Sequence, residues 1–267
     1  MKIAFSNIAW ARHDDPDVLS LLRREGITGI EVAPTRVWPN WEGATPAAAE
    51  RYGKTLRGLG FDVPALQAVL FGRTQVHLFG EDGGAAFTSH LIHVAELAGA
   101  LGAQVVVLGA PGQRNRGSLT PERAFDRAAE VFRRLAEKFL SYDTCLCIEP
   151  NPQSYGCNFI RNTSEGAALV RRVNHRGFGL HLDSAAMLLE GEDLPGVWGD
   201  VGSLVRHFHI SEPHLGNFCS PQVPHRANLD WLSSHHYAGW CSVEMRETCL
   251  PLSLVGPWSM IHAESCA

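Results

Sequence analysis

The sequence lacks several features that would assign it to a class at once. It has no run of about 18 consecutive apolar residues, so we expect no transmembrane helix and no membrane partner. Residues 1–15 hold no long apolar stretch and no small-residue cleavage site, so we expect no signal peptide and a cytoplasmic location. Its 23 basic residues are outnumbered by 28 acidic ones, which argues against a nucleic-acid partner held by phosphate neutralisation.

Paired cysteine motifs are also missing. The seven cysteines are Cys145, Cys147, Cys157, Cys219, Cys241, Cys249 and Cys266. None forms a CxxC pair, which excludes a zinc knuckle or a thioredoxin-type motif, and we expect reduced thiols. Histidine is abundant by contrast, with 13 residues against four tyrosines. Composition alone leaves open whether these histidines are metal ligands, bases or surface residues.

Short β-rich runs alternate with longer helical stretches along the chain. The predicted strands cover residues 2–9, 27–33, 62–69, 104–108, 145–149, 179–183, 205–210 and 240–245. Capped helices are predicted to begin after Thr45, Thr120 and Asn162. Eight strand–helix units of about 33 residues each predict parallel βαβ connections. No GxGxxG follows the first strand, so we predict an α/β fold consisting of a single (β/α)8 TIM-barrel domain over residues 1–267.

The last predicted unit is irregular. Pro251 and Pro257 interrupt the stretch after Met245, and proline in a helix interior costs about 3 kcal/mol. We therefore predict a truncated or irregular last helix. Apolar surface left exposed there would be covered by a second subunit, so we expect a homodimer.

Polar residues end the last four predicted strands. In a barrel the active site lies at the carboxyl ends of the strands, and side chains alternate between the two faces. The large aliphatic residues share one face, while the inward face ends in Glu149, Asp183, His209 and Glu244, with Cys147 filling a deeper layer. Converging carboxylates repel one another without a cation, and this donor set suits Mn²⁺, Mg²⁺ or Co²⁺. The alternative is four independent polar caps.

Further residues near the predicted strand ends are candidates for contacts with a small-molecule substrate. They are Trp10, Gln67, His181, Glu212 and Arg246. A core role for His181 and a solvated loop position for Glu212 stay open. Arg114 and Arg116 precede a predicted helix and suit an anionic group, with a solvated loop as the alternative.

Four segments carry a family resemblance: EPNP at 149–152, HLD at 181–183, HISEP at 209–213 and GWCSVEM at 239–245. They resemble the xylose-isomerase-like TIM-barrel superfamily, which includes sugar isomerases and epimerases and endonuclease IV. The pattern looks most like the ketose 3-epimerases. That resemblance implies that Glu149, Asp183, His209 and Glu244 bind one divalent ion, commonly manganese, and that the two glutamates form the acid/base pair. A histidine, an arginine and a second glutamate of the ketose 3-epimerase pattern are not retained.

The resemblance implies a divalent-metal-dependent isomerase or epimerase of a small sugar, sugar derivative or polyhydroxy carbonyl compound. Such enzymes transfer a proton through a metal-stabilised enediolate. A metal-dependent dehydratase acting on a keto-cyclitol or related acid is one alternative, and a degenerate non-catalytic barrel is another. A phosphodiesterase of the endonuclease IV kind is disfavoured, because the second and third predicted strands offer only Glu31 as a candidate ligand.

Overall fold

A computed structural model describes residues 1–246 and confirms the predicted (β/α)8 barrel. The strands are β1 (Lys2–Ser6), β2 (Gly29–Glu31), β3 (Ala65–Leu66), β4 (Val105–Leu108), β5 (Cys145–Ile148), β6 (Phe178–Asp183), β7 (Val205–Ser211) and β8 (Trp240–Glu244). All pairings are parallel, in the order β2-β1-β8-β7-β6-β5-β4-β3. Isolated bridges from Gly29 to Asp62 and from Val32 to Leu66 join β2 to the β3 side.

Helices surround the strands. They are α1 (Asp15–Arg24), α2 (Pro34–Val37), α3 (Pro46–Gly58), α4 (Ala85–Leu101), α5 (Pro121–Ser141), α6 (Thr163–Val173), α7 (Ser184–Leu189), α8 (Leu194–Val201) and α9 (His225–Ser234). The predicted caps at Thr45, Thr120 and Asn162 are confirmed, since each side chain accepts a hydrogen bond from the N–H three residues on. Within residues 1–246, no helix has both the length and the apolar character needed to cross a membrane.

Alternation along the strands separates two apolar clusters. The larger cluster lies between strands and helices and contains Leu146 and Ile148 of β5. A smaller cluster inside the barrel contains Val105, Val107 and Cys147. The division confirms that aliphatic side chains of β5 face the helices and that Cys147 fills an inner layer.

The third strand is much shorter than the predicted 62–69. Pro64 has no N–H to donate to a ladder, and Ala68 adopts a left-handed backbone with φ 53°. Only Ala65–Leu66 remain in strand conformation. The chain therefore leaves the barrel early, and residues 67–74 fold beside its carboxyl-terminal opening.

Two predictions fall outside the described residues. The truncated or irregular last helix was placed after Met245, in a stretch of which only Arg246 is described. The apolar surface on which the expected homodimer depends belongs to the same stretch. Among residues 1–246, the cysteines are free thiols, as expected.

Candidate active site

The ends of β5, β6, β7 and β8 bring the four predicted ligands together. Donor atoms of Glu149, Asp183 and His209 lie within 4.8 Å of one another. Nδ1 of His209 is 3.1 Å from Oε2 of Glu244 and 3.8 Å from Oδ2 of Asp183. Since these four strands are neighbours in the sheet, alternation alone carries their last inward side chains to one place.

Asp183 is held by both of its oxygens. It ends β6 and caps α7, where Oδ1 accepts a hydrogen bond from the N–H of Ala186 at 2.6 Å. Oδ2 accepts a second one from Oγ of Ser211 at 2.5 Å. Burial and the charge of Glu244 nevertheless raise the pKa of Asp183 to about 6, although those hydrogen bonds lower it.

Glu149 extends the β5 ladder by one residue, and its N–H donates to the carbonyl of Leu108 at 3.1 Å. Its side chain lies against Gly109, where a Cβ atom would overlap Oε2 of the glutamate. Burial and the charges of Asp183 and Glu244 raise the pKa of Glu149 to about 8. The raised pKa reflects how strongly the clustered carboxylates repel one another when no cation lies between them.

His209 provides the test of whether these residues fit a metal ion. Its Nδ1 is buried and points into the carboxylate cluster, towards Glu244 and Asp183. Burial lowers the pKa of His209, but the charges of Glu31 and Glu244 raise it well above its usual value. A buried imidazole nitrogen that faces a cluster of three carboxylates is a donor set that fits a divalent cation such as Mn²⁺, Mg²⁺ or Co²⁺.

A cavity of about 420 Å³ opens beside this cluster, a size suited to a small molecule. Glu149, His209 and Glu244 contribute to its lining, together with Gln67 and the loop that follows it. Nε2 of Gln67 donates to Oγ of Ser6 at 2.6 Å. Of the five substrate-contact candidates, Gln67 is the one that lines this cavity, within the part of the chain that the structure describes.

His181 and Glu212 are buried and make contacts within the protein. Nδ1 of His181 is 3.2 Å from Nδ1 of His207, beneath the carboxylate cluster. Glu212 accepts hydrogen bonds from the backbone N–H of Gln222 and from Nε2 of His225, the latter at 2.6 Å. Glu212 therefore anchors the loop that follows β7, which answers the question of whether it is solvated.

Trp10 and Arg246 lie apart from the residues that line this cavity. Trp10 is buried, and its Nε1 donates to Asp15 at 2.7 Å. Arg246 is exposed, while its backbone N–H donates to the carbonyl of Leu215.

Arg114 is neither free to bind an anion nor a solvated loop residue, so both alternatives left open by the sequence are wrong for it. This side chain is 1% exposed and its guanidinium donates to five acceptors, namely the carbonyls of Gly109, Glu149, Phe159 and Ile160 and Oδ1 of Asn151. An arginine has five N–H donors, so none is left for an anion. Arg114 instead ties the backbone of Gly109 to that of Glu149. Arg116 donates to the carbonyls of Asn158 and Leu119.

Sequence reasoning missed Tyr155. Its Oη accepts a hydrogen bond from the N–H of His214 at 2.8 Å, and the two rings are 5.2 Å apart. Tyr155 follows β5 and His214 follows β7, so this contact joins the loops that follow those two strands. Burial raises the pKa of Tyr155, as do the charges of Asp183 and Glu149. The sequence feature that could have pointed to Tyr155 is an aromatic residue in the loop after the fifth predicted strand.

The fold and the donor cluster define a TIM barrel with a candidate metal centre at its carboxyl-terminal face. A family model for the xylose isomerase-like TIM barrel matches residues 19–264, and the chain belongs to that family. D-psicose 3-epimerase from Ruminiclostridium cellulolyticum is 26% identical over 110 residues, which are 40% of this chain and 34% of that protein's length.

Solved structures share the same fold. The 3-keto-D-glucoside 4-epimerase YcjR from E. coli superposes with a TM-score of 0.79 at 15% identity, covering 100% of both chains. The probable 3-DHS dehydratase AsbF from Bacillus anthracis has a TM-score of 0.74 at 14% identity, covering 98% of both chains. Identities this low establish a common barrel and leave the chemistry to the site itself.

Proposed function

We propose that this protein is a divalent-metal-dependent isomerase or epimerase of a small sugar, sugar derivative or polyhydroxy carbonyl compound. The observation that carries the proposal is the meeting of Glu149 and Glu244 with Asp183 and His209 beside a cavity of about 420 Å³. The sugar epimerases among its relatives support the same chemistry.

Glu149, Asp183, His209 and Glu244 would hold the ion, with manganese expected from the donor set and the family resemblance. A bound divalent cation supplies positive charge beside a carbonyl oxygen, which favours loss of the proton on the adjacent carbon. Asp183 and His209 would serve as ligands, and their fixed hydrogen bonds keep the donor atoms in place.

Glu149 and Glu244 would move the proton. They reach the cavity from the ends of different strands, so one carboxylate can take the proton from a substrate carbon and the other can return it. Return to the same carbon gives an epimer, and return to the neighbouring carbon gives the aldose–ketose isomer.

Deuterium exchange tests this function. The Mn²⁺-loaded protein, incubated in D₂O with a panel of ketoses and keto-sugars, should introduce deuterium at the carbon next to the carbonyl. Treatment with EDTA should stop the exchange and added Mn²⁺ should restore it, since the ligand carboxylates repel one another without a cation. Mass spectrometry of the recovered sugars gives the readout. No exchange across a broad panel would refute the proposal.

A dehydratase is the second candidate, because AsbF shares the fold over nearly the whole chain. Both reactions begin with removal of a proton next to a carbonyl, and the dehydratase then expels a hydroxyl group as water. An enone absorbance that appears with keto-cyclitols or related acids would distinguish it. An epimerase produces no such band.

The Tyr155→Phe substitution should weaken substrate binding. The Tyr155 hydroxyl accepts from the His214 N–H, which leaves its own proton free to donate to a substrate oxygen. Loss of that hydrogen bond is worth about 1.5 kcal/mol, which corresponds to a KM about 10-fold higher. The steady-state KM and kcat of the wild type and the variant should be compared.

Tyr142→Phe is the matched control. The Tyr142 hydroxyl donates to Glu96 of helix α4, and Tyr142 precedes the beginning of β5, whereas Glu149 follows the other end of that strand. Its KM should equal that of the wild type. An unchanged KM in Tyr155→Phe would show that this hydroxyl does not contact the substrate.

A further inference from the structure

Glu31 ends strand β2 on the far side of the His209 ring. Its two carboxylate oxygens are 3.1 and 3.0 Å from Nε2 of His209. Both side chains are almost completely buried, at 0% and 1% exposure. The other ring nitrogen, Nδ1, faces Asp183 and Glu244. His209 is therefore held between a single carboxylate on one side and the proposed metal ligands on the other.

This contact determines which nitrogen of His209 carries a proton. A carboxylate only accepts hydrogen bonds, so Nε2 must donate and keeps its hydrogen. Both oxygens of Glu31 lie within hydrogen-bond distance of this one nitrogen, so the contact is symmetric and fixes the orientation of the ring. In the neutral imidazole, the lone pair then lies on Nδ1, which points at the carboxylate cluster.

Glu31 does not belong to the cavity itself. It is fully buried and is not among the residues that line the cavity beside the carboxylate cluster. Its position at the end of a strand next to β1 places it outside the run of four strands that supply the proposed ligands. A buried carboxylate costs several kcal/mol unless it is paired. The contact with His209 provides that pairing, which makes the histidine the residue on which Glu31 acts.

We propose that Glu31 is a positioning residue for the metal centre, which fixes the ring orientation and the tautomer of His209 so that Nδ1 is available as a ligand. The inference rests on the proposed metal-dependent function and adds a residue from β2 to a site otherwise built from β5 to β8. Carboxylates that orient a ligating histidine in this way typically contribute about 10–100-fold to metal affinity.

Metal affinity, measured apart from activity, tests this role. Metal-free wild type, Glu31→Gln and Glu31→Leu are titrated with MnCl₂ by isothermal titration calorimetry. Glutamine keeps the volume and one acceptor oxygen but loses the charge, while leucine keeps the volume and loses both. The expected dissociation constants rise in the order wild type, glutamine, leucine, with leucine about 100-fold weaker than the wild type. The visible spectrum of Co²⁺ bound to each variant reports a changed ligand field.

Glu212→Gln is the matched control. Glu212 forms a carboxylate–imidazole pair with His225, at 2.6 Å, and neither member is a proposed ligand. This variant should bind Mn²⁺ as the wild type does, even where its thermal stability falls. Circular dichroism confirms that each protein is folded, and Glu31→Gln alone decides the matter if the leucine variant is unfolded.

The outcomes separate the two proposals. Wild-type affinity in Glu31→Gln, or an equal loss in Glu212→Gln, overturns the positioning role and leaves the metal-dependent function intact. A wild type that binds no Mn²⁺ overturns the proposed function together with the inference.

Discussion

Replacing Glu149 with glutamine is expected to reduce exchange of the substrate proton by about 1,000-fold, within the range that general acid–base groups contribute. The amide keeps an oxygen that can contact a cation but cannot carry a proton to or from carbon. The substitution removes the carboxyl group's exchangeable proton and its negative charge, both of which proton transfer to and from carbon requires. Deuterium incorporation at saturating Mn²⁺ measures the effect.

Asp183→Asn separates proton transfer from metal binding. Asp183 is proposed as a ligand alone, so its loss should be compensated in large part when Mn²⁺ is raised to saturation. Glu149→Gln should stay inactive under the same conditions. Recovery of full exchange by Glu149→Gln at high Mn²⁺ would show that Glu149 acts only as a ligand.

The same Glu149→Gln substitution should make the metal-free protein more stable at alkaline pH. The pKa of Glu149 is about 8 in the folded protein, against an ordinary value of 4.5 that applies to the unfolded chain. The folded state therefore holds the proton more tightly than the unfolded state does. Its contribution to the free energy of unfolding is therefore present below pH 4.5 and is lost as the pH rises through 8. The free energy of unfolding, measured by urea denaturation between about pH 5 and 9, should fall less steeply with rising pH for the variant than for the wild type.

Gly109→Ala is expected to lower exchange activity by about 100-fold, although the substitution adds only one methyl group. The new Cβ atom would overlap Oε2 of Glu149, and Asn151 lies close on the same side. Arg114 donates to the carbonyls of Gly109 and Glu149, so the two backbones cannot move apart freely. The carboxylate itself must shift, and a displacement of about 1 Å in a catalytic group can cost this much.

Gly112→Ala is the matched control for that substitution. Gly112 lies three residues further along the same loop, and a Cβ atom there would meet nothing within 4 Å. Its kcat/KM should equal that of the wild type. Wild-type kcat/KM in Gly109→Ala would show that the Glu149 carboxylate can shift without loss of activity. Its position in this structure would then not be required for catalysis.

The barrel and the four proposed ligands could be predicted because both follow from local periodicity. Alternation of side chains along β5 to β8 needs no knowledge of distant contacts, and the carboxyl ends of parallel strands always meet at one face. The third strand was overestimated because Ala68 adopts a left-handed backbone, which an alanine does not signal.

The partners of individual polar residues could not be predicted, because they depend on segments far apart in the sequence. Arg114 reaches acceptors more than 30 residues away, and His209 pairs with Glu31 across a separation of 178 residues. Glu212 lies near a strand end, where a substrate contact was expected, but it anchors a loop through His225. No spacing rule connects such pairs, and only the closed barrel brings them together.

The isolated bridges that join β2 to the β3 side place the weakest seam of the barrel away from the strands that supply the proposed ligands. The continuous strands β5 to β8 carry the proposed ligands, so a change there would disturb the chemistry. The loop of residues 67–74 forms a cavity wall next to that seam, and Phe71 in it is 70% exposed. Insertions or substitutions in this loop can therefore reshape the compound that is accepted while the reacting groups stay unchanged. A family that shares one barrel can diversify by this route.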